Sequence, residues 1–174
     1  MIIVITGASH TGKTLLAQKL MEQRNYPYFS IDHLKMGLVR SNNTKLSPTH
    51  SDEALTAYLW PIVREIIKTA IENNQNLIVE GCYVPLNCLE DFEASYLPNI
   101  QLYCLVMSQD YIQKHFTDIL QHESAIELRQ THDFTQNDAA SENAYYMEKA
   151  RQYNVQTVFI DEPYEIDRIV GQIR

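Results

Sequence analysis

Gly7-Ala8-Ser9-His10-Thr11-Gly12-Lys13-Thr14 fits the pattern G-x-x-x-x-G-K-[ST] at every fixed position, and the rest of the chain is read outward from it. Before it stands the short β-branched run Ile2-Ile3-Val4-Ile5. After it, Lys13 to Arg24 carries leucines at helical spacing. Strand, glycine loop and helix therefore come in the order a phosphate-binding turn requires. Gly7 and Gly12 let the backbone turn tightly and aim several N–H groups into one concavity, where the N-terminal dipole of the following helix adds positive potential. A polyphosphate is the natural occupant. Lys13 is expected to reach the β- and γ-phosphates, and the Thr14 hydroxyl to hold a magnesium ion that bridges them.

The 174 residues suit a single domain spanning 1–174, long enough to bury a sizeable core. Hydrophobic residues make up 45% and charged residues 21%, values of an ordinary globular protein, and no apolar run is longer than a strand, so no membrane span is expected. The chain opens on Met1 and goes directly into its first strand, which leaves no leader pattern and makes a cytoplasmic location the expectation. Cys82, Cys88 and Cys104 are odd in number and never at C-x-x-C spacing, so reduced thiols are expected. A net charge of −8 argues against a long nucleic acid as the ligand, because affinity for one rests on basic side chains neutralising phosphates.

Along the chain, Tyr28 to Asp32 reads as a second strand ending in a carboxylate, and His33 to Arg40 has short helical character. From Ser51, a capping residue, a long helical pattern runs to Ile71, with Pro61 expected to kink or split it. Leu77 to Gly81 is a third strand that brings a second carboxylate, Glu80, to the same rim as Asp32 and the phosphate loop. Ile100 to Val106 and Thr157 to Asp161 complete five strands. Helical patterns cover Tyr111 to Leu120, Ser141 to Tyr153 and Tyr164 to Ile173, and the polar segment from Gln121 to Ala140 has the character of a lid. Strands alternating with helices argue for a parallel sheet covered on both faces, but spacing alone leaves the strand order open.

With these elements in place the chain resembles the small P-loop kinases, a group that includes adenylate, shikimate and gluconate kinases. The phosphate loop carries the resemblance most specifically. Ser30-Ile31-Asp32-His33-Leu34-Lys35 is similar to the family segment that contacts the acceptor, with Lys35 where an arginine is usual. Leu77-Ile78-Val79-Glu80-Gly81-Cys82-Tyr83-Val84-Pro85 is similar to the third-strand motif, with Glu80 in place of Asp and no arginine near Pro85. The resemblance implies a three-layer α/β/α fold, a five-stranded parallel sheet in the order 2-3-1-4-5, a helical acceptor-binding insertion over about residues 33–75 and a lid over about 121–140. The missing arginine counts against a nucleoside monophosphate as acceptor, since its fork is the usual partner of that phosphate.

The expected activity is transfer of the γ-phosphate of magnesium-ATP to a hydroxyl of a small metabolite, with a nucleoside or nucleotide kinase and a nucleotide-binding regulatory NTPase as alternatives. ATP is the expected donor because no Asn-Lys-x-Asp segment for guanine appears. Asp32 is the candidate for orienting the acceptor hydroxyl and accepting its proton, unless it only caps the following helix. Glu80 would bind magnesium through water or orient the acceptor, unless it is a strand-end acid paired with a surface lysine. Lys35 and Arg40 could hold an anionic group of the acceptor. Arg129 is the first candidate for the lid cation that meets the transferring phosphate, followed by Lys114, Lys149 and Arg151. Trp60, Tyr58 and Tyr83 could line the acceptor pocket or simply belong to the core.

Overall fold

The computed structural model describes residues 1–122, 134–161 and 164–173. Five strands, β1 (Ile2–Gly7), β2 (Tyr28–Ser30), β3 (Leu77–Glu80), β4 (Ile100–Met107) and β5 (Gln156–Ile160), form one sheet in the order β2-β3-β1-β4-β5. Every pairing is parallel. β1 lies at the centre, buried along its whole length, as its continuous apolar run requires of a strand covered on both faces.

The helices are α1 (Lys13–Arg24), α2 (Ile31–Arg40), α3 (Asp52–Glu72), α4 (Gln109–Gln121), α5 (Gln136–Gln152) and α6 (Ile166–Val170). Alternation along β1 divides the core. Ile3 and Ile5 pack with Leu16 and Leu20 of α1, Ile112 of α4 and Ile169 of α6. Ile2 and Val4 face the other way, onto Leu59, Val63 and Ile67 of α3. α5 joins this second layer through Ala150, packed against Cys104 and Val106 of β4. The result is the three-layer arrangement and the strand order that the resemblance to small P-loop kinases implies.

Several boundaries differ from that expectation. β2 stops at Ser30, and Asp32 lies in the first turn of α2 rather than at the end of a strand. Ile31 is fully buried and anchors the new helix, while an acid in the first turn suits the helix dipole. Ser30 occupies the cap position, so capping is not the task of Asp32. α3 runs unbroken through Pro61. Pro61 and Ala57, whose carbonyl loses its helical donor, both sit on the exposed side, where water can replace the bond, and buried Leu59, Trp60, Val63 and Ile67 hold the helix down on either side. α5 starts at Gln136, five residues before the expected start, because Thr135 and Asp138 form a reciprocal capping box. That removes Gln136 to Ala140 from the irregular polar segment.

Candidate active site

The phosphate loop bridges β1 and α1 along the carboxyl edge of the sheet. Gly7 ends β1 with φ 133°, and a Cβ there would meet the Leu105 carbonyl oxygen of neighbouring β4 at 2.0 Å. Gly12 precedes α1 at φ 80°, with the Tyr164 hydroxyl 2.3 Å from where its Cβ would stand. Conformation and space both call for glycine at position 7, where the obstacle is backbone; at position 12 the left-handed φ is the reason, since the Tyr164 hydroxyl ends a side chain that can give way. Inside the loop the Lys13 ammonium is buried and donates to the Ala8 carbonyl at 2.7 Å, and the Thr11 hydroxyl donates to the same oxygen at 2.7 Å. His10 adopts a left-handed φ of 61° and stacks on Phe134, ring centroids 4.3 Å apart.

Parallel register brings the acids to this edge. Ile5 of β1 pairs with Glu80 of β3, and Glu80 pairs in turn with Ser30 of β2. Glu80 is almost fully buried, accepts from the Tyr28 hydroxyl at 3.0 Å and lies 3.4 Å from the Thr14 hydroxyl. The two residues expected to serve magnesium are thus side by side. Among the described residues no cluster of three or more carboxylate, histidine or cysteine side chains could cage a metal. One hydroxyl and one carboxylate fit magnesium, which keeps several waters and takes its remaining oxygens from phosphates.

Asp32 is ion-paired with Lys35, one turn along α2, and Lys35 also donates to the Tyr83 hydroxyl at 2.8 Å. Burial acts to lower the pKa of the Lys35 ammonium, but the hydrogen bond and charge of Asp32, with the Tyr83 hydroxyl, outweigh it and hold the value above the ordinary lysine range. Burial likewise raises the Tyr83 phenol, against the pull of Lys35. Lys35 is therefore a charged partner of Asp32. Arg40 lies eight residues beyond Asp32 on the same helix, about 12 Å along its axis, and is exposed.

Cys82 follows β3 beside the lysine of the loop. Burial raises its thiol, the Lys13 ammonium opposes the shift, and the charges of Asp32 and Glu142 add to it, so the group stays a neutral thiol near pH 7. Cys88 and Cys104 are pushed up to about 12 by burial and are equally inert.

Three contributors, Tyr28, Glu142 and Tyr146, were invisible in the one-dimensional pattern. Tyr28 holds Glu80, and Tyr83, expected either to line the acceptor pocket or to belong to the core, holds Lys35. From α5, Glu142 accepts from the Ser9 backbone N–H and from its hydroxyl, 3.0 Å each, and the Tyr146 hydroxyl donates to the Cys82 carbonyl at 3.2 Å. The signal that could have found the last two is their i, i+4 spacing, which puts both on one face of the helix. Lys149 and Arg151 lie about 10 Å or more further along α5 from Glu142, at the end remote from the loop. Lys114 is exposed on α4. Arg129 lies outside the described residues, as do most of those assigned to the lid.

No family model matches the chain, and no curated protein matches it in sequence. Solved structures match over almost the whole length. A gluconokinase from Sinorhizobium meliloti 1021 aligns at 18% identity over 98% of this chain and 87% of its own, with a TM-score of 0.53. A shikimate kinase from Aquifex aeolicus aligns at 15% identity over 99% and 93%, TM-score 0.55. The fold is that of the small P-loop kinases. A deoxyadenosine kinase from M. mycoides shares the P-loop kinase fold at 14% identity over 99% and 96%, TM-score 0.59. Among the described residues no helix is long and apolar enough to cross a membrane.

Proposed function

We propose that this protein is a magnesium- and ATP-dependent phosphotransferase that moves the γ-phosphate to a hydroxyl of a small metabolite. The observation that carries the reading is the convergence, on one sheet edge, of a complete phosphate loop, a Thr14–Glu80 pair and an Asp32–Lys35 pair. The loop N–H groups and Lys13 would hold the β- and γ-phosphates. Thr14 directly, and Glu80 through water, would hold magnesium, which neutralises charge developing on the phosphoryl oxygens. Asp32 would orient the acceptor hydroxyl in line with the γ-phosphate and take its proton, while Lys35 and Tyr83 keep the carboxylate aimed.

Because Lys35 is committed to Asp32, it contributes no free positive charge for an anionic acceptor. That task falls to Arg40 only if the acceptor extends along α2. The residues about 33–75 would then form the acceptor side, and the part of about 121–140 that precedes α5 the lid, with Arg129 its leading cation. The second reading, a nucleoside kinase, is favoured by the likeness to the deoxyadenosine kinase, and the absence of an arginine near Pro85 weighs against a nucleotide acceptor.

An acceptor screen with γ-labelled ATP and magnesium tests the proposal. Label is expected in a hydroxylated metabolite. Label confined to nucleosides or nucleotides would replace this reading with the second, and release of free phosphate alone would leave a regulatory NTPase.

A further inference from the structure

α5 delivers a carboxylate to the phosphate loop. Glu142 takes both hydrogen bonds that Ser9 can offer, from the backbone N–H and from the hydroxyl. Donors of this kind are arranged to meet an anion, and here a side chain supplies one. Its place along a bound phosphate chain follows from Lys13. The lysine of this motif reaches the β- and γ-phosphates, and its ammonium stands on the carbonyl of Ala8, the residue before Ser9. Ser9 and Glu142 therefore lie toward the β- and γ-phosphate end of the cradle.

The helix that carries Glu142 is fixed on either side of it. Buried Asn143 accepts from the Met107 backbone N–H at 2.7 Å, and Tyr146 reaches Cys82. Phe134, two residues before α5, stacks on His10 of the same loop. The Glu142 side chain is half-buried, so it can swing toward solvent while its helix stays in place.

We infer that Glu142 is a specificity-determining residue for the nucleotide, competing with the terminal phosphate for the Ser9 donors. The inference rests on the loop being a nucleoside triphosphate site. A diphosphate leaves the Glu142–Ser9 contact intact, whereas a triphosphate must displace a like charge. Unit charges a few ångströms apart near a protein surface repel strongly, and the ability of the half-exposed carboxylate to retreat reduces the effect to about tenfold in affinity.

Calorimetric titration of the full chain, with magnesium and either ADP or a non-hydrolysable ATP analogue, tests it. Glu142→Gln keeps an acceptor for Ser9 and removes the charge. The expected result is about tenfold tighter binding of the triphosphate analogue and less than threefold change for ADP. Glu142→Ala, which removes charge and hydrogen bonds together, must shift the preference the same way. Equal changes for the two nucleotides, or no change, would overturn the inference and reduce Glu142 to a packing contact. If neither nucleotide binds the unsubstituted protein, the inference falls together with the triphosphate reading beneath it, an outcome distinct from the first two.

Discussion

At the scale of single residues, the proposed transfer chemistry turns on the Asp32–Lys35 pair. A carboxylate held by an ammonium and, through it, by the Tyr83 hydroxyl is oriented more tightly than a free surface acid. Orientation and late proton acceptance are what a loose phosphoryl-transfer transition state asks of a residue in this position. Asp32→Asn is therefore expected to leave ATP affinity within about twofold while kcat falls by about 10² to 10⁴. Nucleotide titration beside steady-state kinetics checks this, and lost ATP binding would mean that Asp32 supports the loop instead. Glycine at position 7 was legible from the motif, and the tertiary reason for it is the Leu105 carbonyl that crosses behind the loop.

At the scale of elements, α5 is the helix whose importance the linear pattern understated. Its residues are mostly polar and its apolar stripe is thin, so periodicity points only to a surface helix. In three dimensions it touches the phosphate loop through Glu142, β4 through Asn143 and the segment after β3 through Tyr146. Asn143 bonds the Met107 N–H just where β4 ends, and its own amide returns to the Ala139 carbonyl at 2.8 Å. Asn143→Ala leaves a buried N–H without its partner and is expected to cost about 1–3 kcal/mol, read as a lower urea midpoint with an unchanged slope. A neutral outcome would show that water replaces the amide and that α5 is held elsewhere.

At the scale of the whole molecule, the phosphate loop, Glu80 and Asp32 lie along one edge of a single sheet, so nucleotide binding there is expected to stabilise the entire cooperative unit. Magnesium-ATP at about one hundred times its dissociation constant adds about 2.7 kcal/mol, or roughly 5–11 °C of melting temperature for a domain of this size. Lys13→Ala is expected to abolish that shift. A thermal melt with and without nucleotide decides, and a full shift in the variant would remove Lys13 from the phosphate clamp. The sequence alone determined the phosphate loop, the five strands and the arrival of Glu80 at the rim, because each is written in short-range spacing: a glycine pattern, β-branched runs and the residue that closes one of them, whereas Asp32 comes from the first turn of α2 and not from a strand end. The strand order in the sequence reading came by resemblance to a family, and parallel register realises it by setting Ile5, Glu80 and Ser30 abreast. Only the tertiary structure decided that Lys35 is bound to Asp32, that Tyr28 holds Glu80 and that Glu142 closes on Ser9 across 133 residues of chain. Such contacts depend on which faces the packed layers turn toward each other. The loop from Gly7 to Thr14 thus announced a phosphate site by itself, while the carboxylate that meets it had to be found in space.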